Sequence, residues 1–219
     1  MTVPEVLAAA REHGINRIDA EAFTAGPQDS QWNETPPGLK LVGDAAFCVG
    51  VNGCVLHRFV EQAWGDQYKP GLAMGQWGTH FDRTQTWWDP FKATVKYWQR
   101  CDALLQWGGI VTNDFAVQGD DGKLEVKSTH RSDGKADVYF VANLSRTNGS
   151  ANCAFGESGK QPELWNPVTG EMLDLPDFET SHGKTIVPLK FAAAQSWFVS
   201  FVGRFPVPII LRVQKTSRR

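Results

Sequence analysis

Apolar positions along the chain repeat with two different periods, and the change of period divides it. Pro4 stands where a first helical turn begins and Gly14 just past a last one, with Val6, Leu7 and Ala10 on one side between them, so the spacing predicts a helix over 4–13. Residues 15–23 then read as a short strand that brings Glu21 to its C-terminal end. Pro, Asn and Gly make 28–38 a loop. Leu39, Val42, Ala46 and Phe47 give helical spacing over 39–50, and the β-branched, apolar run 51–59 reads as a buried strand ending near His57. Two helix-to-strand steps in a row predict an α/β layer. Residues 60–88 form a long connection rich in Gly and Trp, and a connection of that length inside a globular chain usually carries function. Asp89 as N-cap and Pro90 at the first helical position then predict a helix through Ala93, Tyr97, Cys101, Leu104 and Leu105, stopped by Gly108-Gly109.

After Val111 the period shortens to that of strands. Asp120-Asp121-Gly122, Ser132-Asp133-Gly134 and Thr147-Asn148-Gly149 are turn signals, separating candidate strands at 124–129 and 137–143. Further candidates follow at 151–155, 162–165, 172–175, 185–191 and 196–202. Several short strands at such spacing predict an antiparallel β-sandwich. The expected fold class is therefore α/β plus all-β, with the boundary near 116–122: an α/β part at 1–116, a β-sandwich at 117–205 and a tail at 206–219.

Composition changes this picture little. The chain has 219 residues, 42% hydrophobic and 21% charged, with a formal net charge of −2, the profile of an ordinary globular protein with enough length for a sizeable core. The basic cluster Lys215 to Arg219 reads as a solvated end, so no nucleic-acid partner is expected. The apolar run 205–213 contains two prolines and is far short of the roughly 20 residues that a bilayer requires, so no membrane span is expected. The first 14 residues lack an apolar signal-peptide core, so no leader is expected in this sequence. Cys48, Cys54, Cys101 and Cys153 lack C-x-x-C spacing, which argues against a thiolate metal site and leaves the redox compartment open.

The candidate chemistry is concentrated between residues 21 and 107. Seven of the nine tryptophans lie between Trp32 and Trp107, interleaved with His57, Glu61, His80, Asp82 and Arg83. Flat aromatic faces beside carboxylates and imidazoles suit a polyhydroxylated ligand, whose C–H faces stack on rings while its hydroxyls find directional partners. Packing under long loops is the competing explanation for the same residues. Glu21 stands at a strand end before a loop, where a carboxylate can serve as general acid, general base or metal ligand, and a capping or salt-bridging role fits equally well. His57 occupies the equivalent position one unit later. Glu61, His80, Asp82 and Arg83 fit either a hydroxyl-binding set or a hydrogen-bonded scaffold for the loop. A separated pair of carboxylates, such as Glu21 with Glu61 or Asp82, is the minimum that glycoside hydrolysis requires.

These residues also carry a family resemblance. A-E-A-F-T at 20–24, Trp32 with Pro36-Pro37 and Leu39-Lys40, A-F-C-V-G-V-N at 46–52, H-R-F-V-E-Q-A-W at 57–64 and M-G-Q-W-G-T-H-F-D-R-T-Q-T-W-W at 74–88 resemble glycoside hydrolase family 106, the α-L-rhamnosidases. D-V-Y-F-V-A-N at 137–143 and P-E-L-W-N-P-V-T-G-E at 162–171 are similar to the β-rich region that follows the catalytic barrel in that family. The resemblance implies an inverting glycosidase on a (β/α)8 TIM barrel, with two carboxylates as acid and base, a calcium ion, rhamnose-bearing glycans as substrates, and secreted or periplasmic relatives. It implies Glu21 as a catalytic carboxylate, and His57, Glu61, Trp64, Trp77, His80, Asp82, Arg83 and Trp87 as residues contacting the sugar. The chain departs from the pattern in three ways. It offers two β/α units where a barrel has eight. Gly109 runs almost directly into the β-rich part. Val49 stands where the resemblance implies an acidic residue, whose loss would mean an inactive, carbohydrate-binding remnant. An α/β piece with open strand edges is further expected to self-associate.

Overall fold

The computed structural model describes residues 3–75, 77–120 and 122–201. The tail at 206–219, the apolar run 205–213 and the last residue of the 196–202 strand lie outside the described residues. The elements are α1 (Val3–Glu12), β1 (Asp19–Ala22), α2 (Pro27–Ser30), α3 (Pro36–Cys48), β2 (Gly53–Leu56), a 3-10 turn (Asp66–Tyr68), α4 (Lys92–Leu105), β3 (Gly109–Ile110), β4 (Phe115–Asp120), β5 (Val126–Ser132), β6 (Asp137–Asn143), β7 (Gly149–Phe155), β8 (Glu163–Trp165), β9 (Met172–Asp174), β10 (Glu179–Ser181), β11 (Lys184–Phe191) and β12 (Ser196–Phe201). Strands dominate and the helices are few. No described helix is long and apolar enough to cross a membrane.

β1 and β2 pair in parallel, with Glu21 opposite Val55 and Ala22 opposite Leu56. The remaining strands form two antiparallel sheets, ordered β10-β11-β7-β4 and β3-β5-β6-β12-β8-β9. β6 explains how the pieces fit together. All seven of its residues are buried, because the six-stranded sheet is covered on both faces. Tyr139 and Val141 point to the four-stranded sheet and share a core with Cys153, Phe155, Val187, Leu189 and Phe201. Val138, Phe140 and Ala142 point the other way, into a core with Leu39 and Phe47 of α3 and Trp98, Cys101, Leu104 and Leu105 of α4. A strand buried on both sides reads as a continuous apolar run, which is the pattern of D-V-Y-F-V-A-N. The helical layer and the sheets are thus joined by one core.

Buried polar links fix the same joint. Lys40 of α3 donates to Asp44 at 2.5 Å, to the Ala194 carbonyl at 2.9 Å and to Ser196 at 3.0 Å, while the Tyr97 hydroxyl of α4 reaches both Asp44 and Ser196. Arg131 of β5 is 2% exposed and donates to the Trp107 and Gly108 carbonyls at 3.1 and 2.9 Å.

Several elements depart from the sequence reading. α4 begins at Lys92 with Phe91 as its N-cap and no side-chain cap, because residues 87–91 form turns in which the Phe91 amide donates back to the Trp87 and Trp88 carbonyls; Asp89 is left exposed beside Lys92 at 3.6 Å. The expected loop at 28–38 holds most of the short α2 and the first turn of α3, and the strands at 15–23 and 51–59 shrink to four paired residues each. β3, β4 and β10 were not expected. β3 pairs with β5 and β4 with β7, so sheet pairing starts at Gly109. All four cysteines are free; burial pushes the Cys54 thiol up to about 11 and the Cys153 thiol to about 12, which marks them as packing groups.

Candidate functional site

The parallel pair β1–β2 sets the geometry. α3 descends from residue 36 to residue 48 and β2 rises again from Gly53, so Glu21 and His57 emerge side by side at the same, C-terminal end of the two strands. The His57 amide donates to the Ala22 carbonyl, which locks the two strand ends together. Alternation along β1 turns Ala20 and Ala22 toward the helices and leaves Asp19 and Glu21 exposed on the opposite face, with Val55 57% exposed beside Glu21. Thr24 donates to the Glu21 carboxylate at 2.8 Å. Glu21 also borders a cavity of about 330 Å³ that it shares with Glu34, Phe23 and Val42.

The connection 57–88 has little regular structure but many internal bonds. Residues 58 and 79–81 pair through Arg58 N to Thr79 O at 2.9 Å and Phe81 N to Arg58 O at 3.0 Å. The Arg58 side chain, 6% exposed, donates to the carbonyls of Trp77 and Gly75 and abuts the His80 ring nitrogen Nε2. That contact requires His80 Nε2 to accept. Burial, reinforced by the Arg58 charge, pulls the His80 imidazole below its ordinary value and keeps it neutral. Asp82 accepts from the Thr84 amide and hydroxyl at 2.8 and 2.6 Å and from Gln62 at 3.1 Å. Burial alone would push this carboxyl up, but the bonds from Thr84 and Gln62 hold it below the usual carboxylate range. Arg83 donates to the Trp64 carbonyl at 2.8 Å and faces Asp66 at 3.4 Å, pinning the loop tip.

Most of the expected site residues therefore lie in one region, in different roles. Glu21 and His57 stand at the strand ends, with His57 half-buried against Gly78, where a Cβ would meet its Nδ1 at 2.9 Å. Trp64 and Trp77 are 54% and 46% exposed, and Trp64 lies edge-on to Tyr68 at 6.4 Å over a hollow that also borders Gly71. Glu61 is exposed on the surface. Asp82, His80 and Arg83 hold the loop together. Trp87 packs against Phe81 and Phe91 at 6.3 and 5.0 Å and donates to the Glu34 carbonyl at 3.1 Å, a position in the core. Val49 caps the lower end of α3 and is 51% exposed, at the far end of β2 from His57. A carboxylate there would stand at the opposite end of β2 from the one where Glu21 and His57 emerge.

Three residues of this region were not singled out as site residues from the sequence. Trp32, in a left-handed conformation with φ 64°, lays its ring 4.2 Å from the His80 ring and remains 48% exposed. Glu34 accepts from Ser30 at 3.2 Å and from the Thr79 hydroxyl, tying the β1–α3 loop to the 75–82 segment. Arg58 was part of the motif, but only its carbonyl contacts reveal it as the hub. The interleaving of Trp32 and Glu34 with prolines was the available signal. Among the described residues, no three His, Cys, Asp or Glu side chains at the strand ends lie close enough together to share a cation.

Comparison with known proteins places these observations. The family model described as alpha-L-rhamnosidase, glycoside hydrolase family 106, matches residues 4–123 and 109–179, two segments that meet where α4 hands over to β3 and β4. A protein described as a putative beta-glucuronidase from Formosa agariphila is 35% identical over 115 residues, which cover 52% of this chain and 10% of that protein. The structure of a rhamnosidase from Novosphingobium sp. PP1Y superposes with a TM-score of 0.82 at 19% identity, covering 97% of this chain and 33% of that one, and so shares its fold. The chain thus spans about a tenth of the curated relative and a third of the solved rhamnosidase.

Proposed function

Because the chain belongs to glycoside hydrolase family 106, the α-L-rhamnosidases, we propose that it forms part of the sugar site of an α-L-rhamnosidase-type hydrolase acting on terminal rhamnose of glycans. In this reading α1 to α4 with β1 and β2 are two units of a (β/α)8 barrel, residues 1–116, and the facing sheets at 117–205 are an accompanying β-sandwich. The observation that carries it is the emergence of Glu21 and His57 together at the C-terminal ends of parallel strands, with the exposed Trp32, Trp64 and Trp77 on the loops that follow those strands. Glu21, steered by Thr24, is the carboxylate that takes a proton from the attacking water, and a second carboxylate acts as the acid. Trp32, Trp64 and Trp77 offer stacking faces, and His57 and Glu61 offer hydroxyl partners. Arg58, His80, Asp82 and Arg83 hold that loop in place.

A second reading, a carbohydrate-binding remnant without turnover, is favoured by the two-stranded extent of the parallel sheet among the described residues. Hydrolysis of an aryl α-L-rhamnoside by the purified, folded chain separates the two. Turnover that falls about 10²- to 10⁴-fold in Glu21→Gln supports the first reading; equal turnover in that variant removes Glu21 from its role, and binding without turnover supports the second. Val49→Glu is expected to leave the result unchanged, since that position lies at the opposite end of β2.

A further inference from the structure

The facing sheets hold a second polar cluster, remote in sequence from the strand-end site. His130 of β5, Asp137 of β6 and Glu157 just after β7 bring their ligating atoms within 4.8 Å of one another. His130 and Asp137 are 6% and 7% exposed. His130 Nδ1 lies 3.2 Å from the Thr112 carbonyl, which can only accept, so this nitrogen carries a proton. Nε2 then turns toward Asp137 Oδ1 at 3.1 Å. A bare ring nitrogen facing a carboxylate oxygen repels it unless a positive charge lies between them. A second proton can supply that charge, and so can a metal ion. An imidazole whose other nitrogen donates to a backbone carbonyl has the arrangement typical of a metal-ligating histidine.

A second observation points into the same place. Tyr139 is fully buried, its ring is stacked on His130 at 3.9 Å, and among the described residues its hydroxyl has no hydrogen-bond partner. The Gly156 amide lies near that hydroxyl without the alignment of a hydrogen bond, and the charges of Glu157 and Asp137 act on it directly. An orphaned buried hydroxyl is unfavourable, and a group that accepts from it or coordinates it would remove that penalty. Lys160 at present balances the carboxylates, donating to Asp137 Oδ2 at 2.9 Å and to Glu157 Oε2 at 3.1 Å. Its side chain is 35% exposed, so it can swing out to solvent. A dication in place of the Lys160 ammonium would neutralise both carboxylates at once.

We propose that this cluster is a binding site for a divalent transition metal of the zinc class, held by His130 Nε2 and the carboxylates of Asp137 and Glu157, with Lys160 as the displaceable occupant. Mixed imidazole and carboxylate ligands suit zinc better than calcium, which takes six to eight oxygens. Ligand atoms around tetrahedral zinc lie roughly 3.4 Å apart, given bonds of about 2.1 Å, so the cluster needs to close by about an ångström. The bound ion would staple β5 and β6 of one sheet to the segment following β7 of the other.

The test is calorimetric titration of the chelator-treated full chain with zinc chloride, in wild type, Lys160→Gln and His130→Gln, each checked for folding by circular dichroism. One saturable site in wild type is expected, tightened at least tenfold in Lys160→Gln and weakened at least tenfold in His130→Gln. The zinc absorption edge should report nitrogen and oxygen neighbours without sulfur. No saturable binding in either wild type or Lys160→Gln would overturn the proposal, leaving a closed ion-pair cluster. Equal affinity in His130→Gln, or a sulfur neighbour, would overturn it by placing the ion elsewhere. If His130→Gln does not fold, the Lys160→Gln titration and the absorption edge still decide.

Discussion

Individual residues in this chain owe their roles to what surrounds them. Asp102 of α4 is half-buried, with Oδ1 lacking a partner among the described residues, and burial pushes its carboxyl up to about 6, opposed by Arg17 and assisted by Asp19. Its folded value lies above the ordinary aspartate value of 3.8, so the folded state holds the extra proton between those pH values. The group's contribution to stability is therefore lost as pH rises through that window. Asp102→Asn is expected to stabilise the chain by about 1 kcal/mol at pH 7.5, a figure discounted for partial exposure, and to be neutral near pH 3.5. Urea unfolding at the two pH values checks this. The sequence showed Glu21 and His57 as strand-end residues from periodicity alone. It could not rank His80, Asp82, Arg83 and Trp87, because whether a polar side chain faces a ligand or a carbonyl depends on contacts such as Arg58 with Gly75 and Trp77.

At the scale of elements, the turn between α4 and β3 carries the joint between helices and sheets. Gly108 has φ +60°, and a Cβ on it would lie 2.6 Å from the Ser132 carbonyl oxygen of β5, while its own carbonyl accepts from Arg131. Gly108→Ala combines a strained conformation with a backbone clash and is expected to cost more than 1 kcal/mol, read as a lower urea midpoint. α3, α4 and β6 were legible because their apolar spacing matches the faces they bury. β3, β4 and β10 were not. β3 and β10 are only two and three residues long, and β4 is a strand through its register with β7, interrupted between Val117 and Asp120. Their pairing is decided by neighbours distant in sequence.

Over the whole molecule, the core that joins α3 and α4 to β6, β12 and Trp165 leaves little room for the two parts to unfold separately. Urea unfolding is expected to show one transition, coincident by tryptophan fluorescence and far-ultraviolet circular dichroism. Two transitions would show the helical layer and the sheets to be independent. β1 pairs with β2 along one edge, and Val42, Val55 and Phe59 are 61%, 57% and 73% exposed. The chain by itself is accordingly expected to self-associate at micromolar concentration, and a monodisperse monomer by light scattering would contradict this. The sequence by itself determined the helix-to-strand order, the all-β second half, the family and the strand-end position of Glu21, because periodicity and motifs are local properties of the chain. Only the tertiary structure decided that the six-stranded sheet is buried on both faces, that Val49 lies at the far end of β2 from Glu21, and that His130, Asp137 and Glu157 converge. Those are distances between residues far apart in sequence, set by sheet register and packing.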